Sequence, residues 1–188
     1  MLLFLALAAQ SQQLVDGDLV FHRSQSSQAA AIAAATGSEY THVGVVFHIE
    51  GSPMVFEAVE PVKMTSFSDW KRRGKGGHVV VKRLEEGVSP QALEKMEALR
   101  EKWLGLHYDA MFQWSDDRMY CSELAWKLFD QATGIQLGAL KPLTEFELAD
   151  PAVQELLIRR TGGRIPADQL LISPAEMMAD PRLIEVRK

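Results

Sequence analysis

Apolar and polar positions in this chain of 188 residues switch between the two-residue rhythm of strands and the three-to-four-residue rhythm of helices. Asp18-Leu19-Val20-Phe21-His22 follows the turn residues Asp16-Gly17 and reads as a short strand. Ser24-Gln25-Ser26-Ser27 offers N-cap candidates for an alanine-rich helix over residues 28–35 that stops at Gly37. Small side chains there would let a helix lie close to a sheet. Residues 43–49 and 53–59 are β-branched runs on either side of Glu50-Gly51-Ser52, which predicts a β-hairpin, and residues 78–84 predict a third strand. Ser89-Pro90 supplies an N-cap and a first-position proline for a helix carrying Leu93, Met96, Leu99 and Trp103 before Gly105 closes it. A second amphipathic helix starts at Cys121, sets Leu124, Ala125, Leu128 and Ala132 on one face, and ends at Gly134. The proline-rich remainder, 141–188, includes the capping box Ser173-Pro174-Ala175-Glu176. No internal repeat is visible. The pattern predicts an α+β fold, one domain over residues 13–188, with a small antiparallel sheet packed against helices and a C-terminal segment covering one side.

Composition narrows the partners. A net charge of -5 and the lack of a dense basic patch argue against nucleic acid. The Lys71-Arg72-Arg73 and Lys75 cluster reads as a solvated loop between a helix and a strand. Residues 1–9 are an apolar run ending in small residues, followed by Gln10-Ser11-Gln12-Gln13, so residues 1–12 read as a signal peptide or N-terminal extension. Export would place the protein in the periplasm or outside the cell; the absence of Lys or Arg ahead of the run leaves a cytoplasmic protein as the alternative. No stretch approaches the ~20 apolar residues of a transmembrane helix.

Cys121 is the single cysteine, so no disulfide can form within the chain. It stands at the first turn of its helix, where unpaired backbone N–H groups favour thiolate over thiol. A nucleophilic thiolate needs a base and a group to orient that base. Of five histidines, His42 lies at the mouth of the second strand, in Tyr40-Thr41-His42-Val43-Gly44. His22, His48 and His78 are expected to face solvent, and His107 occupies a linker. If Glu50-Gly51 is a two-residue turn, Ile49 faces Ser52 and Glu57 stands opposite Gly44. His42 and Glu57 then become diagonal neighbours on one face, roughly 7 to 8 Å apart at Cα, and Gly44 leaves room between them. A glutamate inside Met54-Val55-Phe56-Glu57-Ala58-Val59 is itself unexpected unless it is paired.

Together the segments Gly17-Asp18-Leu19-Val20-Phe21, Tyr40-Thr41-His42-Val43-Gly44, Val55-Phe56-Glu57-Ala58-Val59, Tyr108-Asp109 and Trp114-Ser115-Asp116-Asp117-Arg118-Met119-Tyr120-Cys121-Ser122-Glu123 resemble the YiiX/YaeF-like permuted papain-like amidases of the NlpC-like superfamily. The likeness runs from about residue 15 to the C-terminus. It implies a circularly permuted papain-like (NlpC-like) fold in which histidine and third polar residue precede the cysteine. Cys121 is then the nucleophile, His42 the base and Glu57 the orienting carboxylate, with amide or ester cleavage through a thioester. Peptide, peptidoglycan fragment or N-acyl lipid would be the substrate, and no cofactor is called for.

The backbone N–H of Cys121 is a natural oxyanion donor. Tyr40 and Tyr120 could add a hydroxyl or could pack at the cleft edge. Asp116, Asp117 and Arg118 fit either a cleft rim or a solvated capping turn. No histidine or cysteine spacing suits zinc, and Gly74-Lys75-Gly76-Gly77 lacks the phosphate-loop pattern, so neither metal nor nucleotide is expected. A non-catalytic lipid- or peptide-binding module on the same fold is the alternative, and a redox-sensing thiol a third reading.

Overall fold

The structure, a computed structural model, describes residues 13–163 and 168–186. The apolar run at the N-terminus lies outside the described residues. A six-stranded antiparallel sheet runs in the order β10-β5-β1-β2-β3-β4, built from β1 (Leu19–His22), β2 (His42–Ile49), β3 (Ser52–Glu57), β4 (Lys63–Ser66), β5 (Val80–Leu84) and β10 (Leu183–Glu185). Five longer helices surround it: α1 (Ala29–Thr36), α2 (Phe67–Arg73), α3 (Pro90–Trp103), α4 (Cys121–Thr133) and α5 (Pro151–Thr161). The two-residue strands β6 (His107–Tyr108) and β7 (Arg118–Met119) form a parallel pair, β8 (Lys141–Pro142) pairs with β9 (Leu170–Leu171), and α6 (Pro174–Met178) precedes β10.

The hairpin has the register that its turn predicts. Glu50 and Gly51 both take positive φ, 52° and 77°, as a type I′ turn demands, and Ile49 pairs with Ser52 and Val45 with Phe56. Alternation then divides the side chains. Leu19, Phe21, Val43, Val45, Phe47 and Phe56 join Leu124, Leu128 and Phe129 of α4 in the main core. Val20, Val46, Val55 and Val81 pack with Trp70 of α2 on the other face. His22, His42 and Glu57 share the parity of that second face, at the end of the sheet where α4 begins.

Three expectations change. The third strand begins at Val80 rather than 78. Residues 63–73 contribute β4 and α2, because an edge strand of four residues is too short to show a rhythm. The alanine-rich helix packs against α5, not the sheet: Ala31 clusters with Val153 and Leu156. The capping box does form, with Ser173 Oγ accepting from the Glu176 N–H.

Gly44 is fixed by a close approach of strands. A Cβ there would stand 2.4 Å from Val55 Cγ1 and 3.0 Å from the Phe56 carbonyl oxygen. Gly44→Ala is therefore expected to destabilise the fold by about 1–3 kcal/mol, the usual cost of overpacking, read as a drop in the urea midpoint at unchanged m-value. Unaltered stability would mean that β2 and β3 are not this close.

Candidate active site

Cys121 opens α4 after the extended residue Tyr120, and its sulfur faces the backbone N–H groups of Val43 and Ser122. His42, the first residue of β2, hydrogen-bonds the thiol through one side of its ring. Its Nε2 lies 2.7 Å from Glu57 Oε2, which leaves Nδ1 for the sulfur. Glu57 is fully buried, and its second oxygen accepts from Thr65 Oγ1 at 2.6 Å and from the Arg73 guanidinium. The structure thus brings Cys121, His42 and Glu57 into one connected line.

Electrostatics separate their charges. Burial works against a charge on His42, but the hydrogen bonds to Cys121 and Glu57 outweigh it and raise the imidazole to about 9. Burial likewise opposes the Cys121 thiolate, and the bond and charge of His42 overcome it, so the thiol is lowered. Glu57 also resists burial, yet its bond to His42, followed by those from Thr65 and Arg73, pulls it down to about 2. A thiolate–imidazolium pair anchored on a carboxylate is the form these shifts favour at neutral pH.

Two expectations about neighbours are overturned. His22 does not face solvent: it is 1% exposed, stacks on Trp70 at 4.0 Å between ring centroids, and stands 5.2 Å from the His42 ring. Burial, then the charges of His42 and Arg73, lower its pKa to about 3 and keep it neutral. The 71–75 cluster is not only a solvated loop, since Arg73 at the end of α2 reaches back to Glu57. Of the other histidines, His48 bonds Asp16 beside the hairpin turn and His107 pairs with Glu60.

Tyr40 lines neither of the cavities at Cys121 and His42 and lies edge-on to His78, with ring centroids 6.3 Å apart. Tyr120 does sit beside Cys121, but its hydroxyl accepts the Ile172 N–H at 3.1 Å while Ser122 Oγ donates to the Ile172 carbonyl at 2.8 Å. These two bonds fasten the C-terminal segment across the start of α4. Asp116 lies outside both cavities and pairs with Lys127 of α4 at 2.8 Å.

The hydrophobic pattern gives Tyr108, in β6, no role. Its hydroxyl oxygen accepts from Gln28 Nε2 at 3.0 Å and is also hydrogen-bonded by Arg160. Burial, reinforced by the nearby Cys121 charge, raises its pKa and keeps the phenol protonated. With two donors on the oxygen, the O–H proton is free to go to a third partner. A two-residue strand has no periodicity to reveal such a residue.

Two cavities meet here. One is an apolar slot of about 100 Å³ that reaches Cys121 between α1, α5 and the β9–α6 segment, walled by residues such as Ala31, Ala35, Leu156 and Ile172. The other is a polar cleft of about 640 Å³ lined by His42, His22, Arg72, Arg73 and Arg160. Tyr108 and Thr41 border both. Among the described residues no group of three or more His, Cys, Asp or Glu side chains could hold a metal ion.

A cysteine at a helix start beside a histidine on an adjacent strand is the arrangement of the papain-like hydrolases, here with the histidine first in the chain. Residues 13–187 match the model of the permuted papain-like amidase enzymes, the YaeF/YiiX or C92 family, and the chain belongs to that family. It is 40% identical to YiiX of Escherichia coli strain K12 over 186 residues, 99% of this chain and 92% of that protein. It also superposes on the crystal structure of YiiX from Escherichia coli O157:H7, described as a metalloprotein, with a TM-score of 0.89 and 41% identity, covering 94% of this chain and 98% of that one.

The shifts above define two expected outcomes. The rate of Cys121 alkylation by iodoacetamide should rise below the ordinary thiol value of ~8.5 in the wild type and at higher pH in His42→Ala, where only the Val43 and Ser122 N–H groups still oppose burial. An unperturbed profile in both proteins would sink the thiolate pair. Because Glu57 is lowered, its ionised contacts stabilise the fold fully above the ordinary carboxylate range and are lost as the pH falls toward about 2. The urea midpoints of wild type and Glu57→Gln should therefore converge on acidification below ~4.5.

Proposed function

We propose that this protein is an exported cysteine amidase that cleaves an N-acyl amide through a thioester, with Cys121 as nucleophile, His42 as acid–base group and Glu57 as its orienting carboxylate. The observation that carries the reading is the division of the cleft between these residues. Cys121, without His42, borders the apolar slot; His42, without Cys121, borders the polar cleft. The half of the substrate that stays on sulfur as the thioester belongs in the slot, and the half that takes a proton from His42 belongs in the polar cleft. An apolar acyl group joined to a polar amine fits that division. A water-soluble cell-wall peptide offers nothing of comparable apolarity to the slot.

The Cys121 thiolate attacks the carbonyl carbon, and the developing oxyanion receives the Cys121 backbone N–H and the Tyr108 hydroxyl proton. The imidazolium of His42 gives its proton to the amide nitrogen, the C–N bond breaks, and the amine departs into the polar cleft. Neutral His42 then takes a proton from water as the resulting hydroxide adds to the thioester. Collapse breaks the C–S bond, releases the carboxylic acid and restores the thiolate–imidazolium pair. His22, neutral and stacked beside His42, adds no competing charge. Tyr120 is assigned to holding the slot wall rather than to the oxyanion, and Tyr40 to neither.

Purified protein should hydrolyse N-acyl amides with kcat/KM rising with acyl length until the slot is full, and Cys121→Ala should abolish the reaction. Tyr108→Phe should lower kcat on those amides by about 10²-fold, the scale for one oxyanion donor, while leaving iodoacetamide alkylation intact because that reaction forms no oxyanion. Equal loss of both reactivities would remove Tyr108 from this role. No turnover of any acyl length would remove the proposed activity.

A further inference from the structure

The polar cleft carries more positive charge than its own carboxylates neutralise. Three arginines line it. Arg73 is paired with Glu57, and Arg72 with Asp69. Glu60, the acidic side chain on the cleft wall, is taken by His107 at 2.7 Å and by the Tyr108 N–H at 2.9 Å. Arg160 is different. Its NH1 donates to the Ala110 carbonyl at 3.1 Å, it hydrogen-bonds the Tyr108 hydroxyl, and its guanidinium lies 5.9 Å and 5.5 Å from the ring centroids of Tyr108 and Phe112. Among the described residues no carboxylate is paired with it.

This side chain is also held in place. A guanidinium stacked on aromatic rings and fixed by a carbonyl has little rotamer freedom left to lose, so an arriving anion meets a prearranged fork of donors. Its position relative to the thiol is set by Tyr108, whose hydroxyl touches Arg160 and feels the Cys121 charge. Tyr108 borders both the slot that reaches Cys121 and the cleft that holds His42 and Arg160. The leaving amine is placed in this cleft by its need for the His42 proton. An anionic group a few bonds from the scissile nitrogen would therefore come within reach of Arg160.

We infer that Arg160 forms an anion subsite for the amine half of the substrate, so that the preferred substrate is an N-acyl compound whose amine carries a small oxyanion, a carboxylate as in an N-acyl amino acid or a phosphate as in an N-acyl phosphoethanolamine. The inference rests on the amidase reading above. Charge-assisted, bidentate contact is the interaction that a guanidinium makes best with such groups.

The experiment compares kcat/KM for four amides of one acyl length: N-decanoylglycine, N-decanoylphosphoethanolamine, N-decanoylethanolamine and N-decanoylcadaverine. Wild type should favour at least one of the two anionic substrates over the neutral one by about 10- to 100-fold, the range expected for a hydrogen bond to a charged group, and the glycine and phosphate arms identify which oxyanion fits. Arg160→Met should erase that ratio, chiefly through KM, and Arg160→Glu should invert the order in favour of the cationic cadaverine amide. Ratios are compared within each variant, so any common loss passed through Tyr108 cancels, and a gained preference cannot come from misfolding. Wild type that turns over the neutral amide as well as both anionic ones overturns the subsite and leaves the amidase standing. Variants that keep the wild-type preference overturn it too. Failure of wild type on all four amides removes the amidase reading, and the subsite with it.

Discussion

The site is organised by one buried carboxylate. Glu57 has no exposure to solvent, and an ionised carboxylate in that position is tolerable only when its oxygens are filled. His42, Thr65 and Arg73 fill them, drawn respectively from β2, β4 and the end of α2. Each would be an ordinary polar residue elsewhere. Here the desolvation of Glu57 obliges three elements to converge, and it fixes the ring of His42 in the one orientation that offers its other nitrogen to sulfur. Breaking such a network by removing one partner is far costlier than the net worth of the network itself, which makes it a device for geometry more than for stability.

A second constraint acts from the opposite side. The thiol belongs to the helix that fills the main core, so α4 cannot slide along the sheet without disrupting Leu124, Leu128 and Phe129. The C-terminal segment is tied to the start of the same helix by Tyr120 and Ser122, through both backbone groups of Ile172. The wall of the apolar slot is thereby built onto the helix that carries Cys121. Any shift of that segment large enough to reshape the slot has to break two buried hydrogen bonds first. The alanines of α1 contribute by what they lack: against Val153 and Leu156 they leave the space that the slot occupies.

The parts of this arrangement that could be read from sequence are those set by local rules. Glu50-Gly51 dictates a two-residue turn, the turn dictates the register, and the register puts His42 beside Glu57 across Gly44. The start of α4 at Cys121 and its stop at Gly134 follow from turn and capping chemistry. What stayed hidden depends on tertiary contact. Arg73 belongs to a cluster whose composition reads as solvated, and nothing local says that one of its members reaches a buried glutamate. His22 ends a strand in a way that suits an exposed residue, and only the docking of Trp70 buries it. Tyr108 sits in a strand of two residues, and its importance arises from Gln28 and Arg160, 80 residues before it and 52 after it.

The order of these residues in the chain is incidental to the chemistry. What the site needs is a backbone position at a helix start, where N–H groups meet the sulfur, next to a strand end that presents an imidazole and a neighbouring strand that presents a carboxylate. Any connection that supplies those three positions will serve, which is how the same constellation recurs with different chain orders. Placing imidazole and carboxylate on one hairpin has a physical consequence of its own. Their separation is set by a single local register, so they can be aligned before the helix docks. The helix then has one task, to carry the sulfur to a nitrogen already oriented, and the docking that does so is driven by the apolar face of α4.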